Sequence, residues 1–258
     1  YQGVLEALSG LAVNVKFISF DDVRTHGFDE DIDVVINVGD AYTAYSGGKN
    51  WADEKLVSAV RGWVREGHGF IGIGEPTAYA QGGRYFALAD VLGVDKEVGF
   101  TLSTDKYNLD KHAHFITEDV RGEIDYGEGM KNIYALDGAE VLDIVFSDRF
   151  KRRYSVGEVK LAANECGAGR GVYIAGIPYS PQNARLLLRS MFWAAHKEDE
   201  MKKAFSSNPL TECTYYPETG KYALINNSTD KQTTTFYDIA GKGAKIALAP
   251  GETRWIEG

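Results

Sequence analysis

Apolar residues along roughly the first 200 positions fall into two alternating kinds of run. Continuous apolar stretches at residues 32–38 and 69–73 are typical of strands that are buried on both faces. Apolar positions at helical spacing recur in residues 51–66 and 181–196. Further strands are predicted at residues 13–20, 141–146, 158–164 and 171–176, and a short helix at residues 83–93. The alternation predicts an α/β domain whose doubly wound, mostly parallel sheet carries helices on both faces.

The pattern changes after a charged stretch at residues 198–208. From there to the end, short β-type runs are separated by turn residues, for example at positions 226–228 and 250–251. This spacing predicts a small antiparallel, β-sandwich-like module. We therefore predict two domains, residues 1–200 and residues 201–258. A module of about 50 residues has little core of its own, so it is expected to pack on the first domain.

The first predicted helix begins very close to the first residue. Val4, Leu5 and Leu8 have helical spacing, and the strand predicted at residues 13–20 follows them. In an alternating α/β domain, a helix that leads into a buried strand usually follows another strand. We therefore expect the sequence to be cut from a longer protein, with Tyr1 inside a domain.

Charge and cysteine content argue against several classes of protein. The 258 residues carry 28 lysines and arginines against 37 aspartates and glutamates, a net charge of -9, which argues against a broad nucleic-acid surface. No apolar run approaches the roughly 20 residues of a membrane helix. Neither a nucleic acid nor a membrane is therefore expected as a partner. Cys166 and Cys213 are the only cysteines, too few for a disulfide framework, which favours a reducing, cytoplasmic location.

The sequence Gly-Ile-Gly-Glu-Pro at residues 72–76 is the principal candidate for a functional corner. It predicts a sharp turn from a strand into a helix, at the carboxyl edge of the sheet, where open α/β folds usually bind ligands. In hydrolases such a corner presents a serine or cysteine nucleophile, whereas here it presents Glu75. A carboxylate can serve there as an acid, a base or an acceptor for a sugar hydroxyl. The alternative is that Glu75 caps a helix or pairs with an arginine such as Arg84.

A second group of candidates follows the neighbouring predicted strand. Asp40 ends that strand and is expected to face the same crevice as Glu75. Tyr42, Tyr45 and Trp51 flank a Ser-Gly-Gly turn and offer aromatic surface of the kind that stacks on sugars. The alternative interpretation is an aromatic loop packed at a contact between domains.

The remaining motifs do not indicate a metal or a cofactor. His112 and His114 are spaced to share one face of a strand, but no third ligand is spaced for a metal, which favours surface or hydrogen-bonded histidines. The glycine-rich residues 167–171 precede a strand instead of a helix, which favours a tight turn over a phosphate-binding loop. Neither cysteine has a histidine nearby in sequence, so both are interpreted as buried or idle thiols. The residues alone thus indicate a sugar-compatible crevice without a complete catalytic set.

Several segments of the chain carry a resemblance to a known enzyme family. They are FISFDDV at residues 17–23, IDVVINVGD at 32–40, AYSGGKNW at 44–51, GFIGIGEPTA at 69–78, GRYFALADVLGV at 83–94, DKYN at 105–108 and VYIAGIPYSPQNARLLLR at 172–189. Together they resemble the 1,3-β-galactosyl-N-acetylhexosamine phosphorylases, also called lacto-N-biose or galacto-N-biose phosphorylases, of glycoside hydrolase family 112. The resemblance implies a central domain similar to class I glutamine amidotransferases, with a flavodoxin-like sheet, followed by a C-terminal β domain. It also implies that an N-terminal (β/α) barrel outside this sequence is a partner.

The resemblance implies a reaction and the place where it occurs. The family cleaves a β-1,3-linked galactoside with phosphate and yields α-galactose 1-phosphate and an N-acetylhexosamine, with inversion. The acid that protonates the leaving oxygen belongs to the barrel, so the resemblance gives no residue of this chain a catalytic role. Glu75 occupies the corner where an amidotransferase has its cysteine, which argues against amidotransferase activity.

The resemblance implies that this chain has a non-catalytic role that supports the rest of the enzyme. We expect the non-catalytic C-terminal portion of a phosphorylase, which packs on the barrel and forms part of a dimer contact or of the active-site surround. The galactoside and phosphate are then ligands of the whole protein, a homo-oligomer without a cofactor. The candidates for contact with the sugar or the barrel are Glu75, Asp40, Tyr42, Tyr45, Trp51 and Arg84. Two alternatives are an oligomerisation domain, like the amidotransferase-shaped trimerisation domain of some β-galactosidases, and a stand-alone glycan-binding module.

Overall fold

The computed structural model describes residues 1–79, 85–96, 113–128, 131–147 and 156–258. Two residues singled out above, Arg84 and His112, lie outside these ranges. The α-helices are α1 (Gln2–Ser9), α2 (Phe20–His26), α3 (Glu54–Arg65), α4 (Ala89–Leu92) and α5 (Pro181–Ala194). Short 3-10 helices lie at Gly48–Ala52, Phe115–Thr117 and Glu198–Glu200. None of the helices in the described ranges combines the length and the apolar character needed to cross a membrane.

The strands follow the same chain order. In the first 200 residues they are β1 (Val34–Gly39), β2 (Gly69–Gly74), β3 (Val94–Lys96), β4 (Ile133–Ala135), β5 (Glu140–Ser147), β6 (Val156–Cys166) and β7 (Gly169–Ile174). Beyond them come β8 (Phe205–Ser206), β9 (Thr211–Tyr216), β10 (Lys221–Asn226), β11 (Gln232–Tyr237), β12 (Gly243–Leu248) and β13 (Thr253–Glu257). The strands predicted at residues 32–38, 69–73, 141–146, 158–164 and 171–176 are confirmed as β1, β2, β5, β6 and β7.

A mixed sheet with strand order β1-β2-β7-β6-β5 organises the first domain. β1, β2 and β7 are parallel, with Val34 opposite Gly69 and Gly39 opposite Gly74. β6 is antiparallel to both β7 and β5. Only residues 167–168 join β6 to β7, and so short a connection permits only an antiparallel pair. The sheet therefore contains as many antiparallel as parallel pairings, although the sequence predicts a mostly parallel one.

Helices cover both faces of this sheet. On one face Leu56 and Val60 of α3 pack in a core with Phe70 of β2. On the other face Ile71 of β2 packs in a second core with Leu186 of α5, and α1 contributes to the same core. Successive side chains of a strand point to opposite faces, so β2 must be apolar throughout to serve both cores. The continuous apolar run in the sequence is explained by this double burial.

The segment before α2 differs from its predicted structure. A strand is predicted at residues 13–20, yet residues 13–19 form no strand and α2 begins at Phe20. Ser19 caps that helix, and its side chain forms a reciprocal capping box with Asp22. A strand needs a neighbour for its backbone hydrogen bonds, and no described strand pairs with this segment.

Two three-stranded antiparallel sheets form the C-terminal domain, with orders β12-β11-β8 and β13-β10-β9. Their shared core consists of Cys213, Tyr222, Leu224, Phe236 and Leu248. The domain is joined to α5 through Arg185, which donates to the carbonyl oxygen of Ser206 over 2.7 Å. The guanidinium group of Arg185 also lies 4.4 Å from the ring centroid of Phe205. The small domain thus packs on the helix layer of the large one.

Both cysteine thiols are expected to be unreactive in the folded chain. Cys166 and Cys213 are buried, and burial raises the pKa of Cys213 to about 12. Because a reagent cannot reach a buried thiol, and because the reactive thiolate is disfavoured at Cys213, a thiol reagent at about pH 8 should modify neither cysteine until the protein is unfolded in guanidinium chloride. The released chromophore of an aromatic disulfide reagent measures this directly. Rapid modification of either thiol in the folded protein would contradict the burial.

Candidate functional site

The ends of β1 and β2 bring the two predicted carboxylates to one edge of the sheet. Gly39 and Gly74 form the last pair of the register, and Asp40 and Glu75 follow them directly. The amide of Glu75 donates to the carbonyl oxygen of Gly39 over 2.9 Å, which fixes one loop against the other. Gly74 has a φ of 85°, and a Cβ atom there would come within 3.0 Å of the Gly39 oxygen. Glycine at this position therefore permits the turn that presents Glu75.

After Glu75 the chain turns without starting a helix. Thr77 has a φ of 60°, and Ala78 forms an isolated antiparallel bridge with Phe86. This bridge keeps the backbone at Phe86 extended, so the helix predicted at residues 83–93 is reduced to α4 within the described ranges. The predicted strand is confirmed at this corner, and the described residues 75–79 form turns and a bridge where the sequence predicts the start of a helix.

Two lysines that sequence reasoning missed lie against the carboxylates. Lys96 donates to Oε1 of Glu75. Lys131 donates to Oδ1 of Asp40 over 2.6 Å, and its Nζ lies 3.7 Å from Oε2 of Glu75. The amide of Ala41 donates to the same Oε2 over 3.1 Å. The side chain of Glu75 is 13% exposed and that of Asp40 is 68% exposed, so the cluster extends from the interior to the surface.

These contacts determine the protonation states at the edge. Burial alone would raise the pKa of Glu75, but hydrogen bonds from Lys96 and from the amide of Ala41, with two nearby ammonium charges, bring it below its ordinary value. Burial likewise opposes the charge of Lys131, but the hydrogen bond to Asp40 and the two carboxylate charges raise the pKa of Lys131. Glu75 is therefore an anion and Lys131 a cation at neutral pH.

Two of the three aromatic candidates lie on the surface near this edge. Tyr42 and Tyr45 are 52% and 56% exposed. The hydroxyl of Tyr42 donates to the carbonyl oxygen of Tyr79 over 3.3 Å, and the ring of Tyr45 stacks on that of Tyr1 with centroids 3.8 Å apart. Both tyrosines are accessible to a ligand or a partner surface.

The third aromatic candidate, Trp51, packs in the core. It is 4% exposed, and its indole N–H donates to the carbonyl oxygen of Ser46 over 2.5 Å. Its ring makes edge contacts with Phe20 and Phe70. This burial corrects the prediction that Trp51 offers surface to a sugar or to the barrel, because the large indole fills space between the sheet and α2. Arg84, the remaining candidate, lies outside the described residues.

A buried charged pair lies close to the same edge. Glu158 is fully buried, and its Oε1 accepts hydrogen bonds from Nζ of Lys160 over 2.9 Å and from the amide of Lys131 over 2.7 Å. Its Oε2 has no hydrogen-bond partner in the described part of the chain. Tyr173 is also fully buried and donates to the carbonyl oxygen of Gly74 over 3.1 Å. Burial and the nearby carboxylates raise the pKa of Tyr173 well above its ordinary value, so its hydroxyl remains a donor.

The arrangement can hold and orient charge, but it presents no reactive nucleophile among the described residues. Cys166 ends β6 beside the start of β7, at the opposite edge of the sheet from Glu75, and Cys213 belongs to the C-terminal domain. His114 accepts a hydrogen bond from the amide of Ile116 over 3.1 Å, as expected for a hydrogen-bonded histidine. Within the described ranges, no three acidic, histidine or cysteine side chains are grouped to hold a metal ion. An anionic Glu75 has no proton to donate as a general acid.

Two family models match consecutive parts of the chain. The model described as Lacto-N-biose phosphorylase central domain matches residues 1–199. The model described as Lacto-N-biose phosphorylase C-terminal domain matches residues 205–256. Together they account for nearly all of the sequence.

Curated relatives are similar along the whole chain. A 1,3-beta-galactosyl-N-acetylhexosamine phosphorylase of Lachnoclostridium phytofermentans is 53% identical over 257 residues, which cover 99% of this chain and 34% of the relative. A 1,3-beta-galactosyl-N-acetylhexosamine phosphorylase of Bifidobacterium longum subsp. longum is 45% identical over 290 residues, which cover 100% of this chain and 37% of the relative. The chain thus spans about a third of the length of these relatives.

A solved structure is similar in fold at much lower identity. The beta-galactosidase from Rahnella sp. R3 aligns with a TM-score of 0.54 and 15% sequence identity, over 96% of this chain and 35% of that protein. At this identity the likeness concerns the fold alone.

Proposed function

Because the chain belongs to the lacto-N-biose phosphorylase family, we propose that it is the non-catalytic, C-terminal portion of a glycoside phosphorylase. In the whole protein, a phosphate oxygen bonds to the anomeric carbon of a β-1,3-galactosyl-N-acetylhexosamine as the glycosidic C–O bond breaks. The products are α-galactose 1-phosphate and the N-acetylhexosamine. The leaving oxygen receives its proton from a carboxylic acid in an N-terminal barrel.

The pairing of Glu75 with two lysines is the observation that carries the non-catalytic role. Inverting displacement needs a carboxylic acid that holds its proton until the bond breaks. Glu75 is kept as an anion by Lys96 and Lys131, and Asp40 is hydrogen-bonded to Lys131. The edge that presents a nucleophile in hydrolases therefore presents a charge-paired cluster in this chain.

The exposed part of the same edge is the proposed contact surface for the barrel. Asp40, Tyr42 and Tyr45 combine a charged group with two accessible aromatic rings. Tyrosine is enriched in protein interfaces because its ring buries a large area while its hydroxyl keeps a hydrogen bond. In the whole protein, this surface contacts the barrel or the surround of the sugar.

We also propose a fold, a cellular location and an oligomeric state for the protein. We assign residues 1–200 to a class I glutamine amidotransferase-like, flavodoxin-like fold, which the parallel strands β1, β2 and β7 and the helices on both faces support. Two buried free cysteines support a cytoplasmic location. The whole protein is proposed to be a homo-oligomer, and sedimentation of the full-length protein tests this.

The isolated chain is expected to be catalytically silent. Incubated with galacto-N-biose and phosphate, it should release no galactose 1-phosphate above a heat-denatured sample, because the acid lies outside it. The full-length Bifidobacterium longum relative, assayed alongside, is the positive control. Turnover by the isolated chain that disappears in the Glu75→Gln variant would overturn the non-catalytic role.

Titration calorimetry separates the supporting role from glycan binding. Galactose, N-acetylglucosamine and the disaccharide are titrated separately into the isolated chain. The supporting role predicts no saturable heat, because the exposed tyrosines then contact a protein surface and not a sugar. Saturable heat that is lost in Tyr42→Ala and Tyr45→Ala variants would assign the chain to a glycan-binding module instead.

A further inference from the structure

Two large aromatic side chains are exposed together on the outer face of the sheet β13-β10-β9. All four tryptophans of the chain lie in the described ranges, and Trp255 of β13 is the one that is exposed, at 57%. Tyr216 of β9 is 44% exposed, and the centroids of the two rings lie 5.5 Å apart. Large rings that are exposed as a group, instead of singly, are typical of a binding surface.

The strand register explains how the two rings come together. Lys221 of β10 is paired with Tyr216 on one side and with Glu257 on the other, and Ala223 of β10 is paired with Trp255. The rings therefore rise from strands on either side of β10, whose backbones are roughly 10 Å apart. Because the ring centroids are closer than that, both rings lean over β10. Ala223 carries only a methyl group, which leaves room for them, and it is 3% exposed although it lies on the outer face.

Neither ring belongs to the core of the C-terminal domain. That core receives Cys213 of β9 and Tyr222 and Leu224 of β10 from the opposite face of the same sheet. Successive side chains of a strand alternate between faces, so Tyr216 and Trp255 point away from these residues. Truncation of either ring should therefore leave the domain folded, which makes the outer face suitable for mutation.

The polar groups beside the rings carry no net charge. Lys221 and Glu257 form an ion pair next to Tyr216, so that their charges compensate each other. A nucleic acid or another polyanion needs unpaired positive charge, which this pair does not provide. Flat rings with hydrogen-bonding groups at their side instead match a ligand with a C–H face and a rim of hydroxyl groups. A neutral sugar has this combination.

The size of the aromatic surface favours a glycan over a second protein. A large aromatic side chain has roughly 150–250 Å² to bury, and Tyr216 and Trp255 are about half exposed, so together they offer about 200 Å². A stable protein interface buries about 800 Å² on each partner. The area of the two rings is far smaller than that and is comparable to the faces of one or two sugar units.

We propose that Tyr216 and Trp255 form the stacking platform of a binding site for a neutral glycan chain on the C-terminal domain. The C–H faces of neighbouring sugar units lie on the two rings, and their hydroxyl groups reach Lys221 and Glu257. The site is in a different domain from Glu75, and the inference does not rest on the proposed function. Single sugars and disaccharides cover too little surface to saturate a calorimetric titration, whereas a polymer presents many sugar units at high local concentration.

Native gel electrophoresis in the presence of polysaccharide tests the platform. The gels contain a neutral galactan, hydroxyethyl cellulose or no polymer. We expect at least one of the two neutral polymers to slow the 258-residue chain. Trp255→Ala should weaken the affinity about tenfold, because it removes half of the platform. Trp255→Phe keeps a ring and should weaken the affinity less. The matched control is Tyr179→Ala, which removes a tyrosine that is 53% exposed in the first domain and should not change the affinity.

A measurement in solution checks that the glycan covers Trp255 itself. Trp255 is the exposed tryptophan of the chain, so acrylamide should quench its fluorescence more readily than that of the others. The polymer that slows the chain should reduce this quenching. In the Trp255→Phe variant, the same polymer should leave the quenching of the remaining tryptophans unchanged.

Three results would overturn the proposal. The first is equal mobility of the chain with and without either neutral polymer. The second is retardation that persists in Trp255→Ala and is lost in Tyr42→Ala, which would place the glycan at the edge of the first domain. The third is self-association in sedimentation that Trp255→Ala abolishes, which would assign the two rings to a second copy of the chain.

Discussion

Replacing Glu75 with alanine is expected to lower the free energy of unfolding by about 3 kcal/mol at neutral pH. The substitution removes a nearly buried carboxylate that Lys96 and Lys131 share. It also leaves the amide of Ala41 without its acceptor. The Glu75→Gln variant keeps an acceptor for that amide but loses the charge, so a smaller loss of about 2 kcal/mol is expected. Urea denaturation of the three proteins measures both differences.

The destabilisation should depend on pH in a defined direction. The folded-state pKa of Glu75 lies below its ordinary value, so its stabilising contribution is present above the unfolded pKa of about 4.3 and is lost as the pH falls through the folded pKa. The pKa of Lys131 is raised, so its contribution is complete below about pH 10.4 and is lost as the pH rises through the folded pKa. The difference between Glu75→Ala and the unmodified chain should therefore be greatest between these limits.

An exposed ion pair provides the matched control for Glu75. Lys221 and Glu257 lie 2.9 Å apart, with side chains that are 42% and 79% exposed. Exposed pairs contribute little because water screens both charges, so Glu257→Ala should leave the stability nearly unchanged. An equally small effect of Glu75→Ala would contradict the structural role of the cluster.

The Gly171→Ala substitution is expected to lower the free energy of unfolding by about 3 kcal/mol. Gly171 lies in β7, at the centre of the sheet, and a Cβ atom there would come within 1.9 Å of the carbonyl oxygen of Val91. That oxygen belongs to the backbone of α4, so relief of the clash requires the helix to move away from the sheet. The displacement would disturb the core around Leu92, which is fully buried. Thermal and urea denaturation should both show the loss.

A second glycine provides the control for this prediction. Gly62 lies inside α3, and a Cβ atom there would meet no other atom within 4 Å. Alanine has the higher helix propensity, so Gly62→Ala should raise the free energy of unfolding by about 1 kcal/mol. A Gly171→Ala variant that is as stable as the unmodified chain, or more stable, would contradict the close approach of α4 to β7.

The local pattern of apolar residues was sufficient to predict β1 and β2, the two strands whose ends form the edge with Asp40 and Glu75. The apolar runs that give β1 and β2 are each followed by a carboxylate, and parallel strands end at the same edge. Asp40 and Glu75 could therefore be placed together before the structure was known. The mixed direction of the sheet depends on the turn at residues 167–168, which the sequence identifies only as a tight turn.

The partners of the two carboxylates could not be inferred in the same way. Lys96 is 21 positions from Glu75, and Lys131 is 91 positions from Asp40. No periodicity connects residues so far apart, because their meeting depends on how the intervening chain folds. Glu158 and Lys160 alternate with apolar residues inside a predicted strand. Such alternation is typical of a strand with one face in water, so the sequence does not predict that this pair is buried.

Trp51 illustrates why an aromatic motif in a sequence does not by itself identify a sugar-binding surface. Aromatic residues beside a glycine turn fit both a sugar-stacking loop and a packed loop, and sequence alone does not distinguish them. The structure separates the neighbours by burial, with Trp51 in the core and Tyr42 and Tyr45 at the surface. Burial is set by contacts with α2 and β2, which lie outside the motif.

The pKa of the Glu75 carboxyl group tests most directly whether this edge is structural and bond cleavage occurs elsewhere. Carbon-13 NMR titration measures it, with the signal assigned through the Glu75→Gln variant. A midpoint below the ordinary value of about 4.3 is expected, because Lys96 and Lys131 stabilise the anion. A midpoint near neutrality would give Glu75 the proton that a general acid requires, and would contradict the non-catalytic role.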